Sequence, residues 1–309
     1  MATDAERQAY AAAMSELVQS SVAARSGAAD GAAEFLRDAI ARINGDLSRI
    51  PIESWTFGRL QELRRAVAEA AIDMRADLDA RARAAVLEAL QQGSDAALAP
   101  LLRQGILEPR VIQAFPFIDP GLVNTLTGFT SRLITNLADE TSDAIAREIA
   151  LSLISGQGRE QTVTNIATAL DSPSVFGSLI ERARVIERTE SLRALSIAQE
   201  VRGVELVRIF TGMEKQWLAF LDERVRESHA NAHLQTVAMQ LPFTLEDPKR
   251  GTVTLMFPRD PSAPGWATIL CRCAYVFLLP TIRLSDLPGD ASAQVATIRN
   301  AVAGMAAEE

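Results

Sequence analysis

The spacing of hydrophobic positions in the first half of the chain predicts amphipathic helices. Leu36, Ile40, Ile43 and Leu47 recur at intervals of four, three and four residues, which places them on one face of a helix. Further predicted helices cover residues 3–24, 57–90, 95–103, 122–137 and 141–154. Gly93 is the predicted stop of the helix over 57–90. This half is therefore predicted to be a series of packed helices.

The pattern changes in the second half of the chain. Helices are still predicted over residues 161–170 and 175–209. After them, segments rich in aromatic and β-branched residues and bounded by Gly and Pro predict three strands, at 216–221, 252–257 and 269–279. The sequence therefore predicts an α+β fold, in which a mainly α-helical N-terminal region precedes a small α/β C-terminal domain with a short sheet.

Composition and charge narrow the class of protein. The 309 residues are 48% hydrophobic and include 31 basic and 39 acidic side chains, which gives a net charge of −8. A negative net charge argues against electrostatic binding of nucleic acid along the whole chain. The apolar stretch over 266–280 is interrupted by Arg272 and is shorter than the ~20 residues that a membrane helix needs. The acidic N-terminus lacks the basic start and apolar core of a secretory signal. We expect folding in the reducing cytosol and no membrane partner.

The two histidines and the two cysteines of the chain, His229, His233, Cys271 and Cys273, fall within 45 residues of one another. On a helix the histidines share a face, and on a strand the cysteines share a face. The four side chains then offer two nitrogens and two sulfurs to a structural zinc ion. In the alternative interpretation no cofactor is present, the cysteines are small core residues, and the histidines lie at the surface or in hydrogen bonds.

Charged side chains precede the first histidine. Asp222, Arg224 and Arg226 lie just before His229, a combination that either serves acid–base chemistry in a cleft or forms an ion-pair network that holds a turn. The sequence contains no serine nucleophile elbow, phosphate-binding Gly-rich loop or dinucleotide fingerprint. We therefore favour the ion-pair network and predict no catalytic residues and no enzymatic activity.

Several motifs follow one another in a set order over residues 182–279. They are Arg188-Thr189-Glu190 in a helix, Trp217 followed by Asp222, Arg224, Arg226 and His229, and Phe257-Pro258 followed by Cys271-Arg272-Cys273. This order resembles the head-morphogenesis domain of tailed-phage minor head proteins, the phage Mu F-like and SPP1-type family. The resemblance is strong over the last third of the chain, and residues 1–130 match only in being helical.

The sequence departs from this family at several turn positions. Leu234 and Arg259 stand where such sequences usually have Gly, and Leu270 replaces a common Asn. Some members carry a Cys pair in the Asp-x-Arg region and a His just before Cys-Arg-Cys, which suggests a metal site. Here Arg226 and Thr268 take two of those places. We expect local differences in the turns, and the replacement of two ligand positions weakens the prediction of a zinc site.

The resemblance implies a domain division and a function. Residues 131–309 would form the head-morphogenesis domain with its helical lead-in, and residues 1–130 a helical arm that docks on the portal or capsid. The protein would be a low-copy minor capsid protein of the virion, inside the capsid at the portal vertex and made in the bacterial host cytoplasm. It would take part in head assembly, DNA packaging or DNA ejection.

The implied partners are the portal protein, the major capsid or scaffolding protein, and packaged DNA through weak contact. The alternative is a zinc-binding enzyme or toxin-associated protein that carries the same domain, with Asp222 and His229 acting around the metal. The tail after Pro280 is only 29 residues long, which we expect to be too short for a toxin's effector domain.

Overall fold

The computed structural model describes residues 31–51, 56, 60–103, 119–171, 178–208 and 210–278. Helices dominate the N-terminal region and short antiparallel strands follow, so the predicted α+β class is confirmed. The predicted helix over 3–24 lies outside the described residues. Within the described ranges, no helix is both long enough and apolar enough to cross a membrane.

The helices and strands have the following bounds. The helices are α1 (Gly31–Arg49), α2 (Leu60–Arg103), α3 (Pro120–Ile154), α4 (Arg159–Asp171), α5 (Leu179–Val207), α6 (Glu227–Asn231) and α7 (Gly265–Thr268). The strands are β1 (Glu214–Leu218), β2 (Thr236–Ala238), β3 (Phe243–Asp247), β4 (Gly251–Leu255) and β5 (Ala274–Leu278).

Two small antiparallel sheets are formed. In the first, β1 is the central strand between β2 and β5, with Trp217 opposite Tyr275 and Lys215 opposite both Val237 and Phe277. The second is the hairpin of β3 and β4. Its turn is closed by Asp247, whose carboxylate accepts hydrogen bonds from the next backbone N–H groups along the chain.

The chain divides into two compact units, each built from separate stretches of sequence. The helical unit comprises the described residues within 27–85 and 125–190, and the sheet unit those within 86–124 and 191–278. Apolar faces of α1, α3, α4 and the first part of α2 form the core of the helical unit. The core of the sheet unit packs the end of α2 and the second part of α5 with the strands.

The predicted helix stop at Gly93 is wrong, because α2 continues through this residue to Arg103. Gly93 lies instead where α2 approaches α5 most closely. A Cβ atom at this position would overlap the Leu195 carbonyl oxygen and lie 2.9 Å from the Ala198 Cβ atom. Glycine is present here for close helix packing, and not to end the helix.

The predicted gap between helices at 138–140 is also absent. Helix α3 is continuous across it, and the buried Thr141 donates its hydroxyl hydrogen to the Leu137 carbonyl one turn earlier. A threonine that bonds within its own helix satisfies its polar group without ending the helix.

The strand predictions are correct in part. Strands form near all three predicted places, but β5 begins at Ala274 and not at 269, because residues 269 and 270 follow α7 in a turn, with Leu270 at φ 56°. Strand β1 ends at Leu218, and the next N–H group, that of Ala219, bonds to the His233 ring instead of a strand. Strands β2 and β3 were not predicted, since short strands such as Phe-Thr-Leu-Glu-Asp are specified by their partners more than by composition.

We predict that Gly93→Ala destabilises the protein by about 1–3 kcal/mol, because the added methyl group overpacks the contact between α2 and α5. The matched control is Gly128→Ala in α3, where nothing lies within 4 Å of the new Cβ atom. That change should stabilise by up to about 1 kcal/mol through helix propensity alone. Urea unfolding midpoints measure both, and equal effects of the two changes would contradict the close-packing role of Gly93.

Candidate functional site

Three residues with metal-binding side chains come together in the sheet unit. His229 lies on α6, and Cys271 and Cys273 lie in the segment between α7 and β5. The His229 Nδ1 atom is 3.3 Å from the Cys273 sulfur and 3.6 Å from the Cys271 sulfur. All three side chains are buried, at 2–3% exposure, and both cysteines are free thiols. We refer to these three residues as the His-Cys-Cys cluster.

The Cys-Arg-Cys segment alternates its side chains as an extended chain does. Cys271 and Cys273 point into the core, where each meets His229. The intervening Arg272 points outward and pairs with the Asp222 carboxylate through two guanidinium nitrogens. Because one residue separates the two cysteines, both sulfur atoms lie on the buried side of the segment. The ion pair of Arg272 with Asp222 lies on its exposed side.

A buried arginine holds the backbone of the Cys-Arg-Cys segment in place. Arg259 is fully buried, and its Nη1 atom donates to the carbonyl oxygens of Cys271, at 2.9 Å, and Cys273, at 2.7 Å. Its other guanidinium nitrogens donate to the Leu192 carbonyl and to the Ser196 hydroxyl on α5. One side chain thus holds both cysteines at a set position relative to α5.

The two thiols share their electrostatic environment. Burial raises the pKa of Cys271, but contacts with the Cys273 thiol and His229, together with the Arg259 charge, outweigh it and hold that pKa well below its usual value. The pKa of Cys273 lies well above its usual value, because its thiol donates to Cys271 and is buried. The two thiols therefore shift in opposite directions although both are buried.

Aromatic rings form one wall of the cluster. The Trp217 ring on β1 meets His229 edge-on, with 5.8 Å between ring centroids, and also contacts Phe243 on β3 at 5.2 Å. Trp217 is fully buried, and its indole favours the charged form of the Cys273 thiol. The rings exclude water from the cluster and so strengthen its electrostatic interactions.

A second buried polar network lies in the sheet unit. The Lys215 ammonium on β1 donates to the Glu200 carboxylate at 2.9 Å and to the Met256 carbonyl, and the Tyr275 hydroxyl donates to the other Glu200 oxygen at 3.0 Å. Burial raises the pKa of Glu200 and of Tyr275 and lowers the pKa of Lys215. Each of these pKa values shifts in the direction expected for a group withdrawn from water. Lys215 and Glu200 still form an ion pair because their opposite charges face each other.

The outer side of the cluster is a surface ion pair. Hydrogen bonds from Arg272 lower the pKa of the exposed Asp222 to about 2. Asp222 also accepts the backbone N–H of Arg224, which closes a turn. Arg226 donates to the Ile269 carbonyl at 2.5 Å and so ties the start of α6 to the turn before Cys271. The ion pair of Asp222 is thus formed with Arg272, which the predicted network did not include, while Arg224 contributes a backbone donor and Arg226 bonds to a carbonyl.

The structure separates some of the residues that the sequence groups together. Of the four predicted metal ligands, His233 lies outside the cluster, and its Nδ1 atom accepts the Ala219 backbone N–H at 3.1 Å. Arg224 is exposed. The predicted motif Arg188-Thr189-Glu190 lies on α5 within the helical unit, where Thr189 and Glu190 are buried.

The sequence reasoning missed the buried charges. Arg259 was seen only as a substitute for glycine, and Lys215, Glu200 and Tyr275 were not singled out. Lys215 lies two residues before Trp217 in the strand Glu-Lys-Gln-Trp-Leu and so shares its face of the strand, which was the available signal for Lys215. No local signal marks Glu200, because its partners are 15 and 75 residues away.

The three family departures share one backbone property. Among the described residues other than glycine, those with positive φ are Leu234 at 64°, Arg259 at 71° and Leu270 at 56°. Glycine or asparagine adopts this left-handed conformation at lower cost than leucine or arginine. The backbone therefore keeps the turns that the family residues favour, although the side chains differ.

Residues 143–276 match the family model described as Phage Mu protein F like protein. The matched segment begins within α3 and ends within β5, so it includes the whole His-Cys-Cys cluster. The resemblance inferred from the motifs is thus confirmed: this part of the chain is similar to the Mu F-like family. It supports a phage head morphogenesis protein. No curated protein and no solved structure matches the chain.

We predict that Leu234→Gly and Leu270→Asn each stabilise the protein by about 0.5–1 kcal/mol. A left-handed leucine costs about 1–2 kcal/mol, part of which is offset by the greater unfolded-state freedom of glycine. Both leucines are partly exposed, at 55% and 42%, so little packing is lost. Leu241→Gly is the control, because Leu241 is similarly exposed, at 56%, but does not have a positive φ. If Leu241→Gly raises the free energy of unfolding as much as Leu234→Gly does, relief of backbone strain does not explain the gain.

We predict that Arg259→Met destabilises the protein by about 2–4 kcal/mol, because three carbonyl groups and a hydroxyl lose their buried donor. Arg250→Met, at an arginine whose side chain is 56% exposed, should change stability by less than about 1 kcal/mol. Chemical unfolding of the full chain measures both. Arg259→Gly removes the strain together with the guanidinium, so a loss of stability in that variant means that the hydrogen bonds outweigh the strain.

Proposed function

We propose that the protein is a phage minor head protein, a low-copy minor capsid component bound at the portal vertex. The observation that carries this proposal is the Mu F-like match over residues 143–276, together with the ordered motifs inside it. The protein would be made in the host cytoplasm, lie inside the capsid, and act in head assembly, DNA packaging or DNA ejection.

The proposed role is structural and involves no catalysis. The burial of the His-Cys-Cys cluster supports this, because side chains that are 2–3% exposed leave no access for a substrate. The ion pair of Asp222 with Arg272 supports it as well, since a carboxylate held in two hydrogen bonds serves to fix a turn. The alternative, a zinc-dependent or toxin-associated enzyme with Asp222 and His229 acting around a metal, requires a substrate to reach His229, which is buried.

The proposed docking element is the helical arm within residues 1–130. Helix α2 exposes two large apolar side chains, Ile72 at 66% and Leu87 at 49%. Exposed apolar side chains on a helix suit packing against helices of another protein. The portal protein is the proposed primary partner, with the major capsid or scaffolding protein as a further partner.

Contact with packaged DNA is proposed to be weak. The net charge is −8, and the open groove of about 920 Å³ beside α1 and α2 is electrically balanced. Its charged lining consists of Asp38, Asp46 and Asp77 with Arg42, Arg49 and Arg81. Equal numbers of acids and arginines give little attraction for a phosphate backbone.

The test is copurification of the full chain with the portal protein from the same genomic neighbourhood, followed by size exclusion. We expect a stable complex. Ile72→Asp and Leu87→Asp should weaken it at least about tenfold, the effect of losing a contact of about 1.4 kcal/mol. Leu241→Asp, at an exposed leucine outside the arm, is the control and should bind as the unmodified chain does. Elution of the folded chain alone at all concentrations would contradict the proposal.

A further inference from the structure

The His-Cys-Cys cluster has the dimensions of a metal site. With zinc–nitrogen bonds of about 2.0–2.1 Å and zinc–sulfur bonds of about 2.3 Å, neighbouring nitrogen and sulfur ligands of a tetrahedral ion lie about 3.5 Å apart. The two nitrogen–sulfur distances here are 3.3 and 3.6 Å. All three ligand atoms lie within 4.8 Å of one another. The donors therefore already stand near the corners of one tetrahedron.

The chemical type of the donors selects the class of ion. Two cysteine sulfurs and an imidazole nitrogen are soft or borderline ligands, which favour zinc and similar transition metals over magnesium or calcium. No carboxylate belongs to the cluster. We propose that His229, Cys271 and Cys273 bind one zinc ion through these three protein ligands.

The surroundings hold the ligands in place before any ion binds. Arg259 Nη1 bridges the carbonyl oxygens of both cysteines, and Arg193 in turn donates to the Arg259 carbonyl at 3.1 Å. Hydrogen bonds that fix the backbone of ligand residues are the outer support that metal sites use. Trp217 fixes the His229 ring from the side.

Charge balance also favours ionised sulfurs at this place. The hydrogen bonds of the Arg259 guanidinium go to three carbonyls and a hydroxyl, and within the described ranges the arginine forms no ion pair with a carboxylate. A fully buried cation of this kind needs a nearby negative charge. Thiolates at Cys271 and Cys273 lie next to this cation, and a Zn²⁺ ion bound by two thiolates is neutral as a whole, so metal binding adds no net charge beside the guanidinium.

The inference differs from the ligand set expected from the sequence. His233 is excluded, because its Nδ1 atom is occupied by the Ala219 N–H and its ring lies outside the cluster. Arg226 and Thr268, at the places where some relatives have Cys and His, bond to backbone carbonyls instead. Zinc binding at the three remaining residues does not depend on the proposed portal function.

The test measures metal content of the full chain, purified with a reductant, stripped with a chelator and dialysed against Zn²⁺. We expect one zinc per chain by elemental analysis, no retention of Mg²⁺, and, with Co²⁺ as probe, the absorption of a tetrahedral thiolate complex. His229→Ala should weaken Zn²⁺ binding by more than about 100-fold, since even outer-shell changes cost about 10–100-fold. His233→Ala is the matched control and should retain one zinc.

Folding of the variants is checked by circular dichroism. If His229→Ala does not fold, a thiol-specific mercurial added to the unmodified protein replaces that variant, and it should release the zinc as both thiols react. The proposal is overturned if the unmodified chain retains no zinc, if folded His229→Ala binds as tightly as the unmodified chain, or if His233→Ala loses the metal equally.

Discussion

The interaction on which the sheet unit most depends is the buried guanidinium of Arg259. It joins α5, through Leu192 and Ser196, to the segment that carries Cys271 and Cys273. Burying a charge is costly unless it is paired and hydrogen-bonded, and here four hydrogen bonds offset part of that cost. One arginine on a separate turn therefore fixes the positions of both sulfur atoms. A change in that turn would shift the whole His-Cys-Cys cluster.

The same arginine explains why the turn tolerates a strained backbone. Arg259 has φ 71°, a conformation that glycine adopts at lower cost, yet a glycine would leave the carbonyls around it without donors. Strain of about 1–2 kcal/mol at a left-handed residue is outweighed by several buried hydrogen bonds. Leu234 and Leu270 have the same backbone conformation, and both leucine side chains are partly exposed.

The Mu F-like domain thus combines a dry interior with a charged outer turn. Inside, His229 and the two cysteines are enclosed by Trp217 and supported by hydrogen bonds to the backbone. Outside, Asp222 pairs with Arg272. The Cys-Arg-Cys segment contributes to both the interior and the outer turn. In an extended chain successive side chains point to opposite sides, so the residue between the two buried cysteines points to the surface. A small domain with a limited apolar core gains a defined shape from such polar contacts.

Much of this protein follows from its sequence alone. Hydrophobic spacing predicts the helices, strand composition predicts three of the five strands, and the ordered motifs predict the Mu F-like domain, because these signals are local and periodic. The tertiary structure decided the rest. It brought His229 to the cysteines and left His233 out, it continued α2 through Gly93, and it gave Arg259 and Glu200 their partners. These outcomes depend on contacts between residues far apart in the chain, which no local pattern encodes.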